Sequence, residues 1–147
     1  MKRRLVGYWI ATGLLGLIMG ISGVLALSHR PGYAQALAHL GYPRYFSNLL
    51  GVGKLAGVVV LLAPGAARWK EWAYAAFGVV VVSAAYSHFQ SGDGWLRAAE
   101  PLLVAGTALV ISYRLRPADR RLAGFSNANS VGEDNFGKDA WKVREVS

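Results

Sequence analysis

Three observations predict an all-α integral membrane protein, a four-helix bundle with both termini in the cytoplasm. The 147-residue sequence is 54% hydrophobic, with a mean hydropathy of +0.30. Its apolar residues are gathered into four blocks, at residues 5–27, 46–63, 72–88 and 95–113, which is typical of membrane proteins. Positive charge is concentrated in alternate connections between these blocks. Because backbone groups in lipid must be satisfied within the segment, we expect each block to be a helix.

The distribution of positive charge predicts the orientation. The net charge is +8, and nine lysines and arginines lie on one side of the predicted membrane against three on the other. The nine are Lys2, Arg3, Arg4, Arg68, Lys70, Arg114, Arg116, Arg120 and Arg121, and the three are Arg30, Arg44 and Arg97. By the positive-inside rule, both termini are expected in the cytoplasm. The same clustering favours a membrane explanation of the basic composition over nucleic-acid binding.

The first block has 23 residues without a charge, enough to cross about 30 Å of hydrocarbon at about 1.5 Å per residue. Glycines recur on one face of this helix, and a second glycine pair lies in the second block. Small residues let helices approach closely in lipid. We therefore expect these glycines to pack against other helices of the chain, with homodimerisation as the alternative. The helix-packing candidates are Gly13, Gly16, Gly20, Gly23, Gly53 and Gly57.

The remaining segments are more varied. The connection at residues 28–44 is expected to be either a short interfacial helix or a surface loop. Glu71 is placed at the start of the third helix, where the helix dipole favours a carboxylate. Pro101 is placed in the first turn of the fourth helix, where proline is tolerated. Residues 1–121 form the predicted membrane domain, and residues 122–147 are expected to be a disordered cytoplasmic tail because they are polar and aperiodic.

Lys54 lies well inside the second block, where an ammonium group costs about 3 kcal/mol on insertion scales. It shares a helical face with Gly51 and Gly57, so we expect it to point into the bundle. The predicted topology brings polar residues of three helices to a similar depth in the outer half of the bundle. These polar-cluster candidates are Lys54, Ser83, Tyr86, His88 and Glu100.

Two interpretations of this cluster remain open. The first is an ion pair between Lys54 and Glu100 that specifies how the helices assemble. The second is a polar pocket for a lipid headgroup, a quinone carbonyl or a proton, because ionisable groups within a membrane are functional candidates.

The sequence offers little intrinsic chemistry. It has no cysteine, which excludes disulfides, thiolate metal sites and Cys-ligated clusters. No catalytic motif is present, so whether the chain is an enzyme is left open. The three histidines have no metal-binding spacing, and neither a metal nor an intrinsic cofactor is expected.

The segments ALAHLGYPRYF, LLGVGKLAGVVVLLAPG, RWKEWAYAAFG and AAYSHFQSGDG, in this order, resemble the DoxX-like family of small bacterial membrane proteins. The resemblance covers roughly residues 8–115, with Lys54, Glu71, Tyr86 and His88 at matching motif positions. It implies a multi-pass four-helix bundle in the bacterial cytoplasmic membrane and a link to quinone-dependent respiratory oxidation. Without cysteines, direct thiol chemistry is not expected here.

The resulting functional hypothesis is an accessory module of a quinone-linked membrane redox system, with a polar pocket around Lys54 and quinone as the implied ligand. Its expected partners are the lipid bilayer and a membrane oxidoreductase or a second copy of the chain. One alternative is an oligomeric transporter of small solutes or protons. The other is a structural or assembly protein without chemistry of its own.

Overall fold

The computed structural model describes residues 2–117 and 120, and within them every regular element is helical. The helices are α1 (Lys2–Leu27), α2 (Pro31–His39), α3 (Arg44–Leu62), α4 (Ala67–Gln90), α5 (Gly94–Pro101), a π-helical segment (Leu102–Gly106) and α6 (Thr107–Leu115). The prediction of an all-α fold is confirmed. Residues 122–147, the predicted tail, lie outside the described residues.

Four helical stretches are long and apolar enough to cross a membrane, as predicted. They are α1, α3, α4 and the continuous stretch Gly94–Leu115, which we call the fourth span. The connection between α1 and α3 contains the short helix α2, so it is helical and not the surface loop that was the other structure expected for it.

The four spans surround one apolar core. α1 packs against α3 on one side and α6 on the other, while α4 packs against α3 and the fourth span. The buried cluster is formed by Leu15, Met19, Leu61, Ala73, Tyr74, Phe77, Val81, Ala105 and Ala108. On α1 the buried side chains recur every three or four residues, which is the spacing of one helical face.

Close packing uses only some of the predicted glycines. A Cβ on Gly57 would lie 2.6 Å from Phe77 Cζ, and a Cβ on Gly23 would lie 3.2 Å from the carbonyl oxygen of Gly51. A larger residue at Gly57 would therefore require Phe77 to shift, and one at Gly23 would be in unusually tight contact with α3. Gly16 has a looser contact with Val58. By contrast, Gly13, Gly20 and Gly53 face no other part of the described chain within 4 Å.

The fourth span differs from the expected regular helix. Pro101 is not in its first turn but is the eighth residue of the span. Because proline has no N–H, it cannot continue the α-helical hydrogen bonds, and the wider π-helical turn follows directly, with the Thr107 N–H bonded to the Leu102 carbonyl. The extra residue in this turn separates Glu100 from the face that Thr107 occupies. Leu103, Thr107 and Ile111 line a groove with α1, whereas Glu100 lies elsewhere.

The end of the bundle that carries the N-terminus holds two buried basic side chains, Lys70 and Arg116, which the sequence alone assigns to segments outside the spans. Lys70 is completely buried, and its Nζ donates to the carbonyls of Val60 (3.2 Å), Leu61 (2.7 Å) and Ala63 at the end of α3. It therefore caps a helix whose last carbonyls have no backbone donor.

Arg116 is also buried at this end, 4% exposed, and it forms an ion pair with Glu71. Its guanidinium lies over the rings of Tyr74 and Tyr113, 5.3 and 4.9 Å from their centroids. Glu71 is the fifth residue of α4 and lies beyond its first turn. Its partner is Arg116, and not the N-terminal helix dipole proposed from the sequence. The pair joins α4 to the residue that follows α6.

Candidate functional site

Two cavities lie side by side in the half of the bundle that carries α2. The first cavity, about 360 Å³, is lined by residues of α2, α3 and α4, and the second, about 370 Å³, by residues of α1, α3, α4 and the fourth span. Four residues line both cavities: Lys54 of α3, and Val80, Ala84 and His88 of α4. Val80, Ala84 and His88 recur every four residues, so one face of α4 borders both spaces. Lys54 and His88 are the polar groups that the two cavities share.

Lys54 is 9% exposed and donates a hydrogen bond to Ser22 Oγ of α1 at 2.7 Å. An ammonium group carries three donors, and Ser22 is the partner that the described residues provide. Lys54 and Glu100 both line the second cavity but form no ion pair, so the pairing considered from the sequence is absent. The serine of α1 takes the place that the carboxylate was expected to hold.

His88 belongs to a cluster that the sequence did not reveal. Its Nδ1 lies 2.6 Å from Asp93 Oδ2, and His39 Nε2 at the end of α2 lies 2.6 Å from Asp93 Oδ1. We call these three residues the His–Asp–His cluster. Hydrogen bonds from His88 and then from His39 lower the pKa of Asp93 below its usual value of 3.8. A single carboxylate in the turn after α4 thus connects α2 to the wall of both cavities.

A second contact holds the chain after α2 against α4. Tyr42 Oη and Ser87 Oγ are 2.6 Å apart, and the Ser87 hydroxyl also donates to the Ser83 carbonyl at 2.8 Å. Tyr42 stacks on Phe46 with a centroid separation of 4.7 Å. Tyr42, Phe46 and Leu37 all line the first cavity. The wall of this cavity is therefore fixed by polar contacts at its edge.

The other predicted polar residues are distributed unevenly. Ser83 is exposed and lines the first cavity, and Glu100 is exposed and lines the second. Tyr86 is 62% exposed, accepts a hydrogen bond from Gln90 at 2.7 Å and lines neither cavity. The fold thus brings Lys54, Ser83, His88 and Glu100 around the paired cavities and leaves Tyr86 on the outside of α4.

The arrangement suits an apolar molecule with a polar oxygen-bearing end. Each cavity is near the lower limit of the range of about 300–1,000 Å³ seen for small-molecule sites. The walls are mostly aliphatic and aromatic, and Lys54 and His88 are the polar residues that line both cavities. Among the described residues, no group of three or more His, Asp or Glu side chains is placed to hold a metal ion.

A helical bundle with four spans of this length and composition defines a multi-pass membrane protein. The chain belongs to the DoxX-like family, because the model of that family matches residues 10–112, more than half of the sequence. This confirms the resemblance identified in the four sequence segments. None of the curated proteins or solved structures compared with the chain matches it.

Proposed function

We propose that this protein binds the head group of a quinone in the paired cavities and serves as an accessory module of a quinone-linked membrane redox system. The observation that carries the proposal is the convergence of Lys54 and His88 on apolar cavities shared by three or more helices. A quinone carbonyl is an acceptor that the Lys54 ammonium can satisfy. The apolar walls suit the ring and the first part of its hydrocarbon tail.

The proposal includes a partner, because the described residues contain no group of three or more His, Asp or Glu side chains placed to hold a redox-active metal. Electrons would pass between the quinone and a membrane oxidoreductase that docks on the bundle. The role of this chain is then to hold the quinone head at a fixed depth and orientation.

The proposed setting is the cytoplasmic membrane of a bacterium, with both termini inside. Basic residues in the connections at the N-terminal end of the bundle support this orientation through the positive-inside rule. The His–Asp–His cluster then lies at the outer surface.

The test is a direct assay for bound quinone. Protein extracted in mild detergent is denatured in organic solvent, and the extract is examined by mass spectrometry for isoprenoid quinones. We expect wild-type protein to retain quinone and Lys54→Met to lose most of it, since the variant removes the donor while keeping a long apolar side chain.

The matched control is Val59→Met on the same helix, at a position 67% exposed on the outside of the bundle. Equal quinone content in both variants, or none in the wild type even after reconstitution with added quinone, would refute the proposal.

A further inference from the structure

The His–Asp–His cluster gives the cavities a reason to bind one redox form of a quinone more tightly than the other, an inference that rests on the proposed function. We propose that Asp93 is a positioning residue that fixes His88 as a hydrogen-bond acceptor toward the cavities, so that the site binds a quinol in preference to the matching quinone.

Asp93 determines where the ring hydrogens lie. Its two oxygens each face one ring nitrogen at 2.6 Å, Nδ1 of His88 and Nε2 of His39. These hydrogen bonds lower the pKa of Asp93 below 3.8, so the group is a carboxylate at neutral pH. An ionised carboxylate only accepts hydrogen bonds. Both contacting nitrogens therefore donate N–H to Asp93.

This leaves the opposite nitrogen of His88 as an acceptor. A neutral imidazole carries one N–H and one lone pair, so with its hydrogen on Nδ1 the ring presents a lone pair at Nε2. Nε2 makes no hydrogen bond to the part of the chain that the structure describes. The His88 side chain is 25% exposed and lines both cavities. Nε2 is thus the nitrogen available to a bound molecule.

Lys54 supplies the complementary group. Its ammonium only donates, and it lines the same two cavities. Of the two polar residues that line both cavities, Lys54 therefore donates and His88 accepts, while Ser83 lines the first cavity and Arg97 and Glu100 line the second. A quinol hydroxyl donates as well as accepts and can satisfy both residues, whereas a quinone has acceptors only. When a quinone is bound, Nε2 would face another lone pair, and an unpaired polar group of this kind typically weakens binding by a factor of about 10.

The test measures the affinities of decyl benzoquinol and decyl benzoquinone for the full-length protein in detergent. It is run at pH 8, above the range in which imidazoles ordinarily titrate. We expect wild-type protein to prefer the quinol about tenfold. In Asp93→Asn the amide offers both donors and an acceptor, so the His88 tautomer is no longer dictated, and the preference should fall to within about twofold.

His39→Phe is the matched control, because it removes the other hydrogen bond of Asp93 and leaves the contact with His88 in place. It should keep the quinol preference, a result that a purely structural role of the cluster would not give. In case Asp93→Asn does not fold, ¹⁵N NMR of histidine-labelled wild-type protein reports the tautomer directly, with Nε2 of His88 expected to be unprotonated.

The outcomes separate the two proposals. Equal affinity for both forms, a preference for the quinone, or a protonated Nε2 at pH 8 overturns the role assigned to Asp93 while leaving quinone binding intact. An unchanged preference in Asp93→Asn does the same. If wild-type protein binds neither compound, the proposed function itself fails.

Discussion

Replacing Lys70 with methionine should destabilise the bundle more than the same replacement at Arg68, an exposed basic residue in the first turn of α4. Lys70 is completely buried and donates to three carbonyls at the end of α3. Methionine has a similar length but no donor, so these carbonyls lose their charged partner. Each hydrogen bond to a charged group contributes about 1.5–3 kcal/mol.

The net effect is smaller than the sum of these bonds, because the variant also removes the cost of burying an ammonium group. Water or headgroups at the bundle end can replace part of the lost bonding. We therefore expect a loss of about 3 kcal/mol in unfolding free energy, equivalent to two orphaned acceptors of about 1–3 kcal/mol each.

The assay is reversible unfolding of purified protein in mixed micelles, followed by circular dichroism as the denaturing detergent is increased. Arg68→Met is the control, since it removes the same charge from an exposed position two residues earlier. A difference below about 0.5 kcal/mol, the usual size of a surface effect, would refute the capping role of Lys70.

Three further predictions concern packing, hydroxyl pairing and pH. Gly57→Ala should lower the unfolding free energy by about 1–3 kcal/mol, because the added methyl group would clash with Phe77. Gly53→Ala is the control and should be neutral in the same assay, because a Cβ there meets nothing within 4 Å. Ser112→Ala should cost about 1–3 kcal/mol, because the Ser112 hydroxyl bonds two other buried hydroxyls at 2.6 and 2.7 Å; a neutral result would show that they find other partners. The pKa of Asp93 is lower in the folded protein than its usual value of 3.8. The ionised carboxylate therefore stabilises the fold at pH values above 3.8, and this stabilisation is lost as the pH falls through the lowered pKa. Wild-type stability measured against pH should therefore converge with that of Asp93→Asn in acid, and a constant difference down to pH 2 would contradict this.

The spans, and the placement of Lys54 and His88 beside the same cavities, could be predicted from segment length, hydropathy and depth in the membrane. Length and hydropathy identify a crossing helix, and equal depth brings Lys54 near His88 once the helices alternate. Depth alone does not determine which face of a helix points into the bundle, however. That is why Tyr86, only two residues from His88, was grouped with it although its side chain lies on the outside of α4.

The contacts that the sequence did not reveal join residues from separate segments. Lys70 and Arg116 were counted among the basic residues of the connections under the positive-inside rule, yet both side chains are buried. Asp93 lies in a plain turn sequence, QSGDG, and its partner His39 is 54 residues away. Only the placement of α2 brings them together.

The π-helical segment has a consequence for comparing this chain with other members of its family. A residue inserted into a helix rotates everything on one side of it by about 100° relative to the other. Here that insertion lies between Glu100 at the second cavity and the α1-facing residues of α6. A relative lacking one residue in this segment would keep the same packing of α6 while presenting a different side chain to the cavity. An alignment gap between residues 102 and 106 would therefore mark a change in the side chain that lines the second cavity.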